Sequence, residues 1–404
     1  MNILQINTND LRGGAAIAGY RLHSSLRSHG HDSRLLVRNK SIDLPEIYEK
    51  SSSLLSFITR NATKLVGLNY AGIMGTSAIS KHPFFTEADI LNFHNLHGGY
   101  FNYISIPSLT KKKPAVWTLH DMWSFTGHCT YSYDCDRWKT GCGSCPYPGE
   151  YPKIYFDNTR LEWRLKNRAY TNSNLHIVAP SKWLCDLAKG SMLSRFSVSH
   201  IPNGLDLDIY KPLDREECLS RLGIPKNKKI LLFSAFNIED RRKGGDLLYK
   251  ALGKLPPSLR DDLCLLIIGE GKILPQLIDG MDHINLGFIE DDESKAVVYS
   301  SADLLVFPTR ADNFPLVLQE SMACGTPMVS FNVGGVPELV RPGLTGYLAE
   351  PEDPDSLVKG IVQLLEDDNL RKNLSESCRS IALAEYPLEK QARSYIKLYE
   401  SILS

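Results

Sequence analysis

The sequence predicts an α/β protein built from two doubly wound parallel sheets. Three observations carry this. Apolar runs such as ILLFSA (230–235) and CLLIIG (264–269) are continuous and do not alternate, as in strands buried on both faces. Longer stretches with helical apolar spacing separate them, for example 16–28 with Ile17, Tyr20, Leu22 and Leu26. Finally, eleven strand-like runs are more than one open sheet commonly holds.

In order, the first series of strands falls at 2–7, 33–37, 90–94, 115–120, 176–180 and 197–201. The second falls at 229–235, 263–269, 284–286, 303–308 and 327–331. Between the two series stands PNGLDLDIYKP (202–212), rich in turn formers. Two Rossmann-like domains follow, 1–204 and 205–385. The tail 386–404 has helical rhythm at Ala392, Tyr395, Ile396, Tyr399, Ile402 and Leu403; it could cap the second domain, and the domain division has it pack back on the first.

Composition narrows the function. Lys plus Arg and Asp plus Glu both number 46, which gives no global reason to expect a nucleic-acid partner. Hydrophobic residues at 43% and charged residues at 23% exclude disorder and fibrous classes. No run approaches the ~18 apolar residues of a spanning helix. The start MNILQINTND reads as a first strand and not as a signal peptide, so a cytoplasmic location is expected. Residues 54–74 are apolar with Arg60 and Lys64 interspersed, and Lys111, Lys112 and Lys113 form a small basic cluster. An ordinary amphipathic helix and an interfacial helix at the membrane face are both open.

Five constellations could carry chemistry. Gly13 and Gly14 follow the first strand and precede a helix, where backbone approach and anion binding are favoured; a plain tight turn is the alternative. His120 and Asp121 sit at the C-terminal end of a strand, the edge where open α/β sheets bind ligands, with His94, Asn95 and His97 close by. Cys129, Cys135, Cys142 and Cys145 lie within 17 residues and close with C-x2-C, matching a structural zinc site with no open position; His128 could replace one thiol. Disulfides or free thiols are the alternatives, and the other five cysteines are scattered. Arg241, Arg242 and Lys243 precede Gly244 and Gly245 at a strand end, a setting that suits a diphosphate or a solvated turn. Last, a strand ends at Pro308, a loop holds Asp312, and a helix begins near Pro315 with Glu320 inside it. That carboxylate could accept from a ribose diol or stand as an exposed charge.

The fifth segment resembles the donor-binding motif of glycosyltransferase family 4, retaining enzymes of the GT-B fold. It reads Asp312-x7-Glu320, then ACGTPMV, GGVPELV and LTGYL. GGAAIAGYRL, the HD at 120–121, APSKW and IPNGLDLDIY fall in the family's order over nearly the whole chain. The cysteine-rich insertion at 128–146 resembles a subgroup active in bacterial surface-polysaccharide assembly. The resemblance implies two Rossmann-like domains facing across a cleft. It also implies transfer of a sugar from a nucleoside diphosphate to a glycan or polyprenyl-linked acceptor; peripheral contact at the inner membrane would come only from the interfacial reading of 54–74.

By resemblance, Gly13 and Gly14 lie near donor phosphates or acceptor, and His120 contacts the transferred sugar. Lys243 takes phosphate, Asp312 lies near sugar hydroxyls, and Glu320 meets the ribose. Asn313, Phe314 and Leu316 complete the donor loop. Three departures stand out. Asp312 replaces the usual glutamate, Phe314-Pro315 replaces Phe-Gly and loses one N–H, and SAFN replaces the usual Gly-Arg, with Arg242 assigned to that charge. No D-x-D cluster lies in the donor motif from Asp312 to Glu338, so no catalytic metal is expected. Front-face attack without a protein nucleophile is the implied route. A nucleotide-sugar epimerase of similar fold and a catalytically weak scaffold with a zinc loop are the competing readings.

Overall fold

The computed structural model of the chain describes residues 1–50, 54–272 and 280–404. It divides into two compact units, one of Met1–Gly204 with Glu389–Ser404 and one of Leu205–Leu388. Each is described by itself.

The first unit holds a parallel sheet of seven strands: β1 (Asn2–Asn9), β2 (Asp32–Asn39), β3 (Ile47–Glu49), β4 (Ile90–Phe93), β5 (Ala115–Thr118), β6 (Leu175–Ala179) and β7 (Val198–His200). Their order is β3-β2-β1-β4-β5-β6-β7, in registers such as Ile3 with Ile90 and Trp117 with Ile177. The order reverses between β1 and β4. Ligands of such sheets bind at that point, outside the carboxyl ends of the strands.

Both faces of this sheet are buried, which accounts for strands without polar alternation. One face carries Phe93, Phe101, Trp117, Trp123 and Tyr170. The other carries Ile3, Ile90, Val116 and Val178, covered by Leu22 and Leu26 of the helix Gly14–Ser28 and by Tyr395 and Tyr399 of the helix Leu388–Leu403. The two tyrosine hydroxyls bond Thr118 Oγ1 and Asn92 Nδ2, each at 2.9 Å.

The second unit repeats the pattern with six parallel strands: β8 (Lys229–Asn237), β9 (Leu263–Glu270), β10 (Asp282–Gly287), β11 (Leu304–Phe307), β12 (Met328–Phe331) and β13 (Gly346–Ala349). The order β10-β9-β8-β11-β12-β13 puts its reversal between β8 and β11. Successive residues of β8 go to opposite cores. Ile230 and Leu232 pack with Leu266 and Phe307, whereas Leu231 and Phe233 pack with Leu265 and Val306.

Two strands escape the sequence pattern, β3 and β13. Both are sheet edges, of three and four residues, and β13 begins on a glycine. The helix Leu54–Leu65 covers the start of the 54–74 segment, but the side chains of Arg60 and Lys64 lie outside the described residues. Downstream, Tyr70 and Ile73 are buried in the core of the first unit. Among the described residues, no helix is long and apolar enough to cross a membrane.

Candidate active site

In the first unit the candidate residues gather at the β1/β4 reversal. Gly13 has φ 94°, a left-handed conformation that favours glycine, and a Cβ on Gly13 or Gly14 would meet nothing within 4 Å. The turn is therefore open to a ligand. Asn7, at the end of β1, ties it to the next loop: its Nδ2 donates to Ala15 O at 3.3 Å and its Oδ1 accepts from Asn95 N–H at 3.3 Å.

His120 follows β5. Its ring stacks on His94, with centroids 5.3 Å apart, and its Nε2 lies 3.0 Å from His94 Nδ1. Burial pushes His120 down to about 4, with Asp121 opposing and His97 reinforcing, so the ring is neutral at pH 7. Asp121 accepts from Trp123 N–H and bonds His97 Nε2, both at 2.8 Å. Burial works to raise this carboxyl, but His97 and the Trp123 N–H bring it below its ordinary value. Asn7 and Gln5 were not singled out from sequence. A polar residue inside a strand buried on both faces was the available signal.

In the second unit the candidate residues gather at the β8/β11 reversal. Asp240 caps the short turn Arg241–Lys243 by accepting from Arg242 N–H at 2.9 Å. Gly244 follows with φ 73°, and a Cβ there would sit 1.8 Å from Pro308 O. Only glycine lets this turn close on the end of β11. The result is a shared contact: one oxygen of Asp312, Oδ2, accepts from Lys243 Nζ at 2.6 Å and from Arg242 Nη1 at 3.1 Å. Burial and Arg242 lower the Lys243 ammonium, and Asp312 only partly offsets them. The Asp312 carboxyl is raised by burial but brought below its ordinary value by Lys243 and Arg242.

The Asp312 backbone is fixed from the other side. Gly335 N–H donates to Asp312 O at 3.1 Å, and a Cβ on Gly334 would come within 2.1 Å of that oxygen. Asn313, Phe314 and Leu316 are buried beside it, Phe314 against Tyr386. Pro315 is the N-cap of the helix Leu316–Ala323. Glu320 is no exposed charge: it is 5% exposed, and Tyr299 Oη donates to its Oε2 at 3.0 Å. Tyr299 was not anticipated, because its helix is distant in sequence.

The cysteine loop does not support zinc. Cys129, Cys135, Cys142 and Cys145 are free thiols, and among the described residues no three His, Cys, Asp or Glu side chains are placed to hold an ion. Protein contacts hold the loop in that arrangement. Cys142 Sγ accepts from Gly127 N–H at 3.2 Å, and Cys145 Sγ lies 3.1 Å from His128 Nε2. Beneath them the buried Lys166 ammonium donates to Trp123 O at 2.6 Å and Thr126 O at 3.1 Å.

The family model described as Glycosyltransferase Family 4 matches residues 12–209, and that described as Glycosyl transferases group 1 matches residues 214–380. The chain is a family 4 glycosyltransferase.

The transferase is 25% identical to the putative colanic acid biosynthesis glycosyl transferase WcaC of Escherichia coli K12, with all of both chains covered. It is 33% identical to a D-inositol 3-phosphate glycosyltransferase of Thermobifida fusca, over 44% of each chain. Among solved structures it is similar to sucrose-phosphate synthase from Thermosynechococcus elongatus, with a TM-score of 0.74 at 20% identity over 100% and 99% of the two chains. It is also similar to HepE of Anabaena in complex with UDP-glucose, with a TM-score of 0.72 at 17% identity over 99% of each chain. Together with the two sheets, these likenesses identify the fold as GT-B.

Proposed function

We propose that the transferase moves a hexose, with retention, from a nucleoside-diphosphate sugar to a glycan or polyprenyl-linked acceptor in bacterial surface-polysaccharide assembly. The observation that carries this is the cluster of half-buried Lys243 and Arg242 on buried Asp312 at the carboxyl ends of β8 and β11. A diphosphate leaving group carries growing negative charge as the anomeric bond breaks. Two cations and the N-terminus of the helix Leu316–Ala323 are the groups that stabilise it. Asp312 then serves the sugar hydroxyls, Glu320 the ribose, and His120 the transferred sugar. Gly13 and Gly14 leave room for phosphate or acceptor. No protein nucleophile is assigned, so retention proceeds by attack on the face that the leaving group departs. The likeness to WcaC, a putative glycosyl transferase of colanic acid biosynthesis, supports a place in polysaccharide assembly.

Thermal unfolding with UDP, GDP, dTDP and ADP tests the donor half. A ligand at 100 times its dissociation constant adds about 2.7 kcal/mol. A shift with one diphosphate, lost in Lys243→Ala, is the expected result. No shift with any of the four would sink the reading. The anomeric configuration of the product, read by NMR, tests retention.

A further inference from the structure

A line of buried polar groups crosses the first unit's sheet and ends on His120. Ser33 Oγ on β2 lies 2.9 Å from His23 Nδ1 and 2.9 Å from Gln5 Nε2 on β1. Gln5 Oε1 lies 2.8 Å from His94 Nε2, and His94 Nδ1 lies 3.0 Å from His120 Nε2. Gln5, His23, Ser33 and His94 are each no more than 2% exposed. The helix above is pressed onto this line. A Cβ on Gly19 would come to 3.1 Å from Asn7 Nδ2 and 3.5 Å from the His94 ring.

Buried polar groups are costly unless bonded, and an apolar residue at position 5 would avoid the cost altogether. What Gln5 adds is direction. An amide has a fixed polarity: its nitrogen only donates and its carbonyl only accepts. With its nitrogen on Ser33, Gln5 turns its carbonyl to His94, so His94 carries its proton on Nε2. A neutral imidazole protonated there has a lone pair on Nδ1. His120 must therefore donate to it through Nε2, which makes its own Nδ1 an acceptor. Burial holds both rings neutral, His94 well below the ordinary histidine range. Of the charged neighbours, Asp121 is engaged by His97 at 2.8 Å.

We propose that Gln5 is a positioning residue: through His94 it fixes the His120 proton on Nε2, so that His120 offers Nδ1 to a hydroxyl of the transferred sugar. This rests on the reading of His120 as the sugar-contacting group. It also commits the donor to a sugar with a hydroxyl at that position, because a site built to bond a hydroxyl discriminates strongly against the deoxy analogue.

Histidine ring ¹⁵N spectra of the full enzyme report which nitrogen holds each proton. Nε2–H is expected on both His94 and His120, with the signals assigned through His120→Asn. Gln5→Met keeps the volume but removes the acceptor. The proton of His94 should then move to Nδ1, His94 should donate to His120, and the His120 proton should appear on Nδ1. A contact with the transferred sugar counts in kcat/KM, which measures transition-state binding relative to free enzyme and donor. Gln5→Met should therefore lose about tenfold or more in kcat/KM for the donor. Nδ1–H on His120 in the wild type overturns the relay, and that measurement stands even if Gln5→Met does not fold. Unmoved protons in a folded Gln5→Met overturn it equally. A wild-type rate in His120→Asn removes the sugar contact, and the proposed role with it, whatever the tautomer.

Discussion

Asp312 answers to two cations through one oxygen, with Lys243 at 2.6 Å and Arg242 at 3.1 Å. A glutamate would reach one methylene further into the proposed donor site. The shorter acid is held back between the cations, and so it bears on the charge of Lys243. Lys243 is lowered by burial and by Arg242, and Asp312 is what works against the fall. An ammonium is charged below its pKa, so removing the Asp312 charge must bring deprotonation to lower pH. Asp312→Asn is thus expected to move the alkaline limb of kcat/KM toward neutrality. At pH 7 it should lower kcat/KM by about tenfold to a hundredfold. An alkaline limb that stays put, or moves up, would show that Lys243 carries no charge the reaction needs. The sequence marked Asp312, Lys243 and Glu320 through their places in a motif. It could not show that Asp312 is shared between cations, which depends on loops brought together from separate strands, nor that Tyr299 holds Glu320, which depends on how two helices pack.

The C-terminal helix Leu388–Leu403 acts at the scale of a whole element. Its rhythm was plain in the sequence, since Tyr395, Ile396 and Tyr399 repeat at helical spacing. The sheet face it covers was not, because that face consists of ordinary aliphatic side chains. Ile3, Ile90, Val116 and Val178 gain their cover from it. Its polar contacts also fix its register: Tyr399 Oη is the acceptor for Asn92 Nδ2, at 2.9 Å. Tyr399→Phe keeps the ring but leaves that buried amide unpaired, which should cost about 1–3 kcal/mol. Urea unfolding followed by tryptophan fluorescence measures this in the first unit, which holds Trp117 and Trp123. Removing residues 389–404 should be far more damaging, because it bares an apolar sheet face. A Tyr399→Phe protein as stable as the wild type would mean that water satisfies Asn92. The edge strands show where element-level reading fails. In β3 two of three residues are exposed, and in β13 the opening Gly346 is required because a Cβ would sit 1.8 Å from Met328 O. Close approach selected a residue of poor strand propensity and erased the signal.

At the scale of the molecule, the return of the C-terminal helix makes the second unit an insertion in the first. The chain leaves the first unit after Gly204 and re-enters it at Glu389. The ends of the inserted segment are tied to each other. Leu205 N–H donates to Tyr386 O at 2.9 Å, and Leu388 N–H donates to Leu205 O at 3.0 Å. Between them lie a complete six-stranded sheet and a core on each of its faces. Domain count and the break near 204 were legible from the turn-rich segment and the number of strands. The strand order was not, because pairing between parallel strands leaves no local trace. That order decides where the candidate donor residues meet: Lys243, Arg242, Asp312 and Glu320 all belong to the second unit. A fragment of residues 205–388 should therefore fold alone, since its size and closed ends are those of an autonomous domain. It should show one cooperative thermal transition, raised by the same nucleoside diphosphate that stabilises the full chain, and Lys243→Ala should abolish the rise. A fragment that folds but ignores the nucleotide, while the full enzyme responds, would mean that the first unit supplies part of the binding. The donor site would then have to be reassigned to both units.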